Sequence, residues 1–83
     1  MRLRPFIYKL VRFVLEHNGV LIDEKYSVGS YQRADSDRSY TVLNKTGDIA
    51  FESPNPKPAI AFFVDLVGEQ TTANAIDRYI DKN

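Results

Sequence analysis

The chain contains no cysteine and no tryptophan, and it has a single histidine, His17. Without cysteine there is no disulfide scaffold, no thiolate metal site and no cysteine nucleophile. A chain without disulfides fits a reducing compartment, so we expect a cytoplasmic protein. A lone histidine has no second imidazole to join it at a metal or in a catalytic dyad. Its place in the last turn of a predicted helix suits a cation beside the helix dipole.

Net charge is also lacking, because 11 Lys and Arg residues balance 11 Asp and Glu residues. This balance argues against indiscriminate binding to nucleic acid. No apolar run reaches the roughly 18 residues that a membrane-spanning helix needs, and no small-residue cleavage site follows the basic start. With 83 residues, of which 43% are hydrophobic, the sequence predicts one compact domain over residues 1–83.

Proline and glycine number four each, and several of them mark helix ends. The predicted helices span residues 5–17, 58–67 and 72–81. Pro5 and Pro58 can open the first two, since proline suits the first helical turn. Asn18 and Gly19 can end the first helix, and Thr71 and Thr72 can cap the third. The first helix is apolar around most of its circumference, so we expect it to be buried on two sides.

Three predicted strands lie between the first two helices, over residues 20–28, 40–43 and 48–51, because these runs are rich in β-formers and surround a glycine-containing turn. Strict alternation then divides the side chains between one apolar face and one mostly polar face. The apolar face is expected to carry Val20, Ile22, Tyr26, Val28, Tyr40, Val42, Ile49 and Phe51.

The expected fold class is therefore α+β: an N-terminal helix, a three-stranded antiparallel meander and two C-terminal helices, with the helices packed on one sheet face. A polar loop over residues 29–38 joins the first two strands, and long loops are often functional or mobile. Its two carboxylates, Asp35 and Asp37, are too few oxygens for a calcium site. No glycine-rich phosphate loop or recognisable nucleophile is present. We expect no metal, no cofactor and no enzymatic activity.

Two features favour binding to another protein. Phe62 and Leu66 project from the second side of the 58–67 helix, and exposed apolar patches usually mark contact surfaces. Tyr31, Arg33 and Arg38 in the loop belong to residue types enriched at binding hot spots. Pairing of the Phe62/Leu66 ridge across a two-fold axis would give a homodimer. We expect a small non-catalytic protein-interaction domain, such as an adaptor, inhibitor or regulatory subunit.

The alternative is a nucleic-acid-binding protein that uses a basic N-terminus and the sheet face. Residues 1–13 contain four basic residues and no acid. The candidate contacts are Arg2, Arg4, Lys9, Arg12, Lys25 and Lys45. Acidic residues in the sheet region would repel phosphate, so this alternative ranks second. A membrane-surface role for the first helix competes with its role in the core. We expect no membrane partner.

Overall fold

A computed structural model describes residues 4–32 and 38–82 of the chain. The elements in chain order are α1 (Pro5–Glu16), β1 (Leu21–Ile22), β2 (Tyr26–Gln32), β3 (Arg38–Asn44), β4 (Ile49–Ser53), α2 (Pro56–Val67) and α3 (Glu69–Lys82). The strands form one antiparallel sheet in the order β1-β2-β3-β4. The predicted α+β class is confirmed, but the prediction of three strands is wrong, because the sheet has four.

The additional strand arises from a tight turn at Asp23. Its carboxylate accepts a hydrogen bond from the backbone N–H of Lys25 at 3.3 Å, and its own N–H donates to the carbonyl of Tyr26 at 2.8 Å. Aspartate stabilises turns in this way, by bonding to the backbone two residues on. The segment predicted as one strand over residues 20–28 therefore folds into β1 and β2.

This turn changes which side chains enter the core. Leu21 lies opposite Val28 in the β1–β2 ladder, and both are fully buried on the same face. Val20 and Ile22 lie on the other face and are exposed. The prediction that Val20 and Ile22 share the core face with Val28 is therefore wrong.

A β-bulge has the same effect in β4. Val42 lies opposite Phe51, but the next pair is Leu43 with Ile49, so Ala50 is an extra residue without a partner in β3. One inserted residue reverses the face of the side chains beyond it. Ile49 is consequently exposed, while Phe51 packs against the core, and the expected common face of Ile49 and Phe51 is wrong.

The predicted loop over residues 29–38 is strand at both of its ends. β2 continues to Gln32 and β3 begins at Arg38, and the register pairs Tyr31 with Ser39. Residues 33–37, which include Arg33, Asp35 and Asp37, lie outside the described residues. Residues at both ends of the predicted loop therefore belong to strands. The mostly polar composition of this segment did not predict them.

The three helices follow their glycine and proline signals closely. α1 ends one residue earlier than predicted, where Asn18 adopts a positive φ of 61°. α2 begins at Pro56 rather than Pro58. α3 begins at Glu69, and Thr72 is not its cap. Thr72 is buried inside the helix, with its hydroxyl donating to the carbonyl of Gly68 at 2.8 Å.

The core lies between the helices and one face of the sheet. Its buried members are Ile7, Val11, Val14, Leu15, Leu21, Val28, Val42, Ile60, Phe63, Val64, Ala75 and Ile76. α1 buries one side only, because Phe6 and Phe13 are exposed on its outer side. The expectation that α1 is buried on two sides is therefore wrong. The opposite face of the sheet carries no helix among the described residues.

Candidate functional site

The sheet face away from the helices carries a row of aliphatic side chains, where a solvated face would carry polar ones. Ile22, Ser27, Leu43 and Ile49 lie opposite one another in register and form one row across all four strands. Three of these four side chains are aliphatic, and Ile22 and Ile49 are 63% and 61% exposed. The outer face of an antiparallel sheet normally alternates to polar residues. This row departs from that pattern.

A second row extends the apolar surface. Val20 lies over Gly29, and a Cβ atom added to Gly29 would come within 3.1 Å of Val20 Cγ2. The absence of a side chain at Gly29 therefore lets Val20 lie flat against the sheet. The row continues through Thr41, whose hydroxyl donates to a carboxylate oxygen of Glu52 at 3.3 Å.

Tyr31, which is exposed, and Ser39, which is buried, form a third row. We call the surface made by the three rows the open sheet face. Its members are Val20, Ile22, Ser27, Gly29, Tyr31, Ser39, Thr41, Leu43, Ile49 and Glu52.

A shallow groove of about 390 Å³ lies at one end of the open sheet face. Val20, Ile22 and Leu43 contribute apolar side chains to it. The β1–β2 turn (residues 23–25) and the β3–β4 turn (residues 45–48) stand beside it, because Tyr26 pairs with Asn44 at the ends of β2 and β3.

Charge is confined to the border of this surface. The two turns carry three acids and two bases, namely Asp23, Glu24, Asp48, Lys25 and Lys45. Within the three rows only Glu52 is charged, and it lies on the outer strand β4. An uncharged centre bordered by polar groups, with an aromatic residue such as Tyr31 in the contact surface, is the usual composition of a protein–protein interface.

The predicted loop residues do not come together. Tyr31 belongs to the open sheet face, as its neighbours in register show. Arg38 lies on the helix side, where its Nη1 is 3.5 Å from the hydroxyl of Ser30, and that hydroxyl donates to the carbonyl of Leu15 at 3.1 Å. Arg33 lies outside the described residues. Tyr31 and Arg38 therefore cannot contact one flat partner surface together.

The predicted Phe62/Leu66 ridge lies on the helical side of the molecule. The ring of Phe62 stacks on that of Phe51, with centroids 4.7 Å apart and an interplanar angle of 13°. This contact half-buries Phe62, while Leu66 remains exposed. Phe62 already has an intramolecular partner in β4, so the ridge offers less free apolar surface than the open sheet face.

The basic residues proposed for nucleic-acid binding are spread over separate parts of the molecule. Arg4 forms an ion pair with Glu69 at 3.2 Å. Lys9 is exposed on α1, Lys25 and Lys45 are in the two turns, and Arg2 lies outside the described residues. The described members of this set do not form one continuous basic surface.

Arg12 is held on the surface of α1 by two neighbours. Its Nη1 donates to the Tyr8 hydroxyl at 3.0 Å and its Nε to the Glu16 carboxylate at 2.9 Å. The hydrogen bond to Tyr8, followed by the contact with Glu16, raises the pKa of Arg12. Arg12 is thus charged at every physiological pH, with an acid of its own helix beside it.

His17 closes α1, as its position in the sequence predicts. Its Nδ1 lies 2.8 Å from the carbonyl oxygen of Phe13, and the two rings are 4.2 Å apart. Within residues 4–32 and 38–82, no group of three or more His, Cys, Asp or Glu side chains is placed to hold a metal ion. No helix of this same part of the chain is long and apolar enough to cross a membrane.

Comparisons with known protein families, with curated proteins and with solved structures gave no match. The candidate site therefore rests on the geometry alone. Four of its aliphatic residues, Val20, Ile22, Leu43 and Ile49, were not singled out from the sequence. Two features of the sequence could have identified them. One is the turn-forming Asp23, and the other is that the predicted strands contain more aliphatic residues than one face of the sheet can bury.

Proposed function

We propose that the chain is a small non-catalytic domain that binds another protein through the open sheet face, as an adaptor, inhibitor or regulatory subunit. The observation that carries this proposal is the row formed by Ile22, Leu43 and Ile49, in which Ile22 and Ile49 are exposed on the two edge strands and Leu43 is half-buried between them. A cytoplasmic location belongs to the same proposal, since the chain has no cysteine that would benefit from an oxidising compartment.

Contact between exposed apolar side chains and water is unfavourable in free energy. Covering apolar side chains with a partner would contribute about 25 cal/mol of stabilising free energy for every Å² of apolar surface removed from water. Scattered exposed hydrophobic residues are ordinary, but contiguous exposed patches on small soluble domains usually mark contact surfaces. Within the open sheet face, Thr41 and Ser39 are buried, at 3% and 5% exposure, so the exposed apolar surface is the row in which the half-buried Leu43 joins Ile22 to Ile49. Val20 lies beside Ile22 and extends this surface.

Protein is favoured over nucleic acid by the distribution of charge. Phosphate binding needs several uncompensated basic side chains on one surface. Arg4 and Arg12 each have a carboxylate within 3.2 Å and 2.9 Å, and Lys25 and Lys45 share their turns with acids. The centre of the open sheet face has no basic residue at all. These arrangements suit an apolar partner surface with a polar border.

Affinity capture with matched variants tests this proposal. The tagged full chain is incubated with a lysate of the cells that make it, with and without nuclease. Ile22→Lys places a charge at the β1 end of the aliphatic row. Ile80→Lys is the matched control, since Ile80 is similarly exposed, at 58%, but lies on α3.

The expected result is a protein retained after nuclease treatment by the wild type and by Ile80→Lys but not by Ile22→Lys. Circular dichroism establishes that both variants are folded. Loss of every captured partner on nuclease treatment would refute protein binding and favour the nucleic-acid alternative. Equal capture by folded Ile22→Lys would show that the open sheet face is not the binding surface.

A further inference from the structure

We propose that the partner that covers the open sheet face is a second copy of this chain, packed sheet against sheet about a two-fold axis parallel to the strands. This inference rests on the proposed function, because it uses the same surface. Two-fold dimers are the commonest oligomers, and they require a surface that complements itself. Three properties of the open sheet face meet that requirement.

The first property is the order of large and small side chains. A two-fold axis parallel to the strands, between β2 and β3, places β1 over β4 and β2 over β3 of the second copy. The row Ile22, Ser27, Leu43, Ile49 then lies over the same row of the second copy, with its residues in the opposite order. The large Leu43 faces the small Ser27, and facing layers pack well when large residues lie opposite small ones. At each edge of the row Ile22 faces Ile49, which is an apolar contact between two large side chains.

The second property is charge. The chain has a net charge of zero at pH 7, so two copies do not repel one another at long range. With this axis, Glu52 of β4 lies over β1 of the second copy rather than over its own equivalent. The β1–β2 turn, with Glu24, comes beside the β3–β4 turn, with Lys45, of the second copy. The perpendicular in-plane axis would instead bring the two Glu52 carboxylates together, which like-charge repulsion disfavours.

The third property is area. At the usual spacing of strands and of alternate residues, the ten positions of the open sheet face cover roughly 330 Å² on each copy. The area buried on two copies is roughly twice that, which is at the low end of specific protein interfaces. The dimer is therefore expected to be weak and reversible.

Sedimentation equilibrium of the purified full chain, from micromolar to millimolar concentration, tests this inference. The wild type is expected to show a reversible monomer–dimer equilibrium. Ile49→Lys is expected to weaken association at least tenfold, and Ile80→Lys is expected to associate like the wild type. Circular dichroism establishes that each variant is folded. Should Ile49→Lys not fold, Ser27→Lys serves instead, because it places a charge opposite Leu43 of the second copy.

A charge exchange tests the direction of the axis. Glu24→Lys is expected to weaken association because it meets Lys45 of the second copy, and the double variant Glu24→Lys/Lys45→Glu is expected to restore it. A wild type that sediments as a folded monomer up to millimolar concentration would overturn the inference. Unchanged association of folded Ile49→Lys would overturn it as well. Absence of rescue in the double variant would overturn the parallel axis.

The two proposals fail separately. A monomeric wild type that captures a different protein through Ile22 overturns the second copy as partner and leaves the proposed function standing. A dimer abolished by Ile49→Lys, with only further copies of this chain captured from the lysate, supports the second copy as the protein that this face binds.

Discussion

The connection between α1 and β1 leaves no room for a side chain at Gly19. A Cβ atom built there would lie 2.6 Å from Cε1 of Tyr79 and 2.7 Å from Cγ1 of Val14. Contacts this short force a displacement. Val14 is buried in the core and Tyr79 packs against it from α3. Gly19→Ala should therefore move the end of α1, the start of the sheet and α3 apart.

The size of the effect follows from the cost of overpacking, which is about 1–3 kcal/mol for an extra methyl group in a well-packed site. For a domain of this size, each kcal/mol lowers Tm by roughly 4–8 °C. Gly19→Ala should thus lower Tm by roughly 4–24 °C. The change is large beside the total stability of a small domain, which is commonly about 5–15 kcal/mol.

The assay is urea unfolding followed by circular dichroism, with every variant at the same protein concentration. Gly19→Ala should lower the free energy of unfolding. In the double variant Gly19→Ala/Tyr79→Leu the destabilisation should be smaller than the sum of the two single effects, because the leucine removes ring atoms that the new methyl group meets. Wild-type stability of Gly19→Ala would refute the close packing of Gly19 between α1 and α3.

Three further predictions concern the core and its border. Leu15→Ala should destabilise the fold by about 2–5 kcal/mol, and Leu10→Ala by less, because Leu15 is fully buried and Leu10 only partly. Urea unfolding of both variants checks which of them loses more stability. Ser30→Ala should cost about 0.5–1.5 kcal/mol in the same assay, since it removes the hydrogen bond to the Leu15 carbonyl. Arg4→Gln should change stability by less than about 1 kcal/mol, because its ion pair with Glu69 is exposed; a larger loss that persists in high salt would contradict this.

The helices could be predicted from the sequence because their ends are encoded locally. Proline at the first turn and glycine after the last turn act within a few residues, so α1 and α2 differ from prediction by one or two residues at their ends. The start of α3 was missed by three residues. Thr72 matches the preferred residue types of a helix cap, but Gly68 already separates the two helices and leaves Thr72 inside α3.

The faces of the sheet could not be predicted by alternation alone. The Asp23 turn and the unpaired Ala50 each shift the register by a local event, and each shift moves aliphatic side chains to the other face. Alternation assumes an uninterrupted strand, so Ile22 and Ile49 were assigned to the core. This is also why the candidate site escaped sequence analysis, while Tyr31 was identified from its residue type alone.

The central claim is that the open sheet face is covered when the protein associates. Methyl spectra of the chain labelled at the isoleucine δ1 positions test it directly, because its six isoleucines divide into useful classes. Ile7, Ile60 and Ile76 are buried, Ile22 and Ile49 lie on the open sheet face, and Ile80 is exposed on α3.

Between micromolar and millimolar protein, the Ile22 and Ile49 methyl signals should shift together along one binding curve. The signals of Ile80 and of the buried residues should stay fixed. Fixed Ile22 and Ile49 signals over the whole range, or a concentration-dependent shift of Ile80 in their place, would contradict the account.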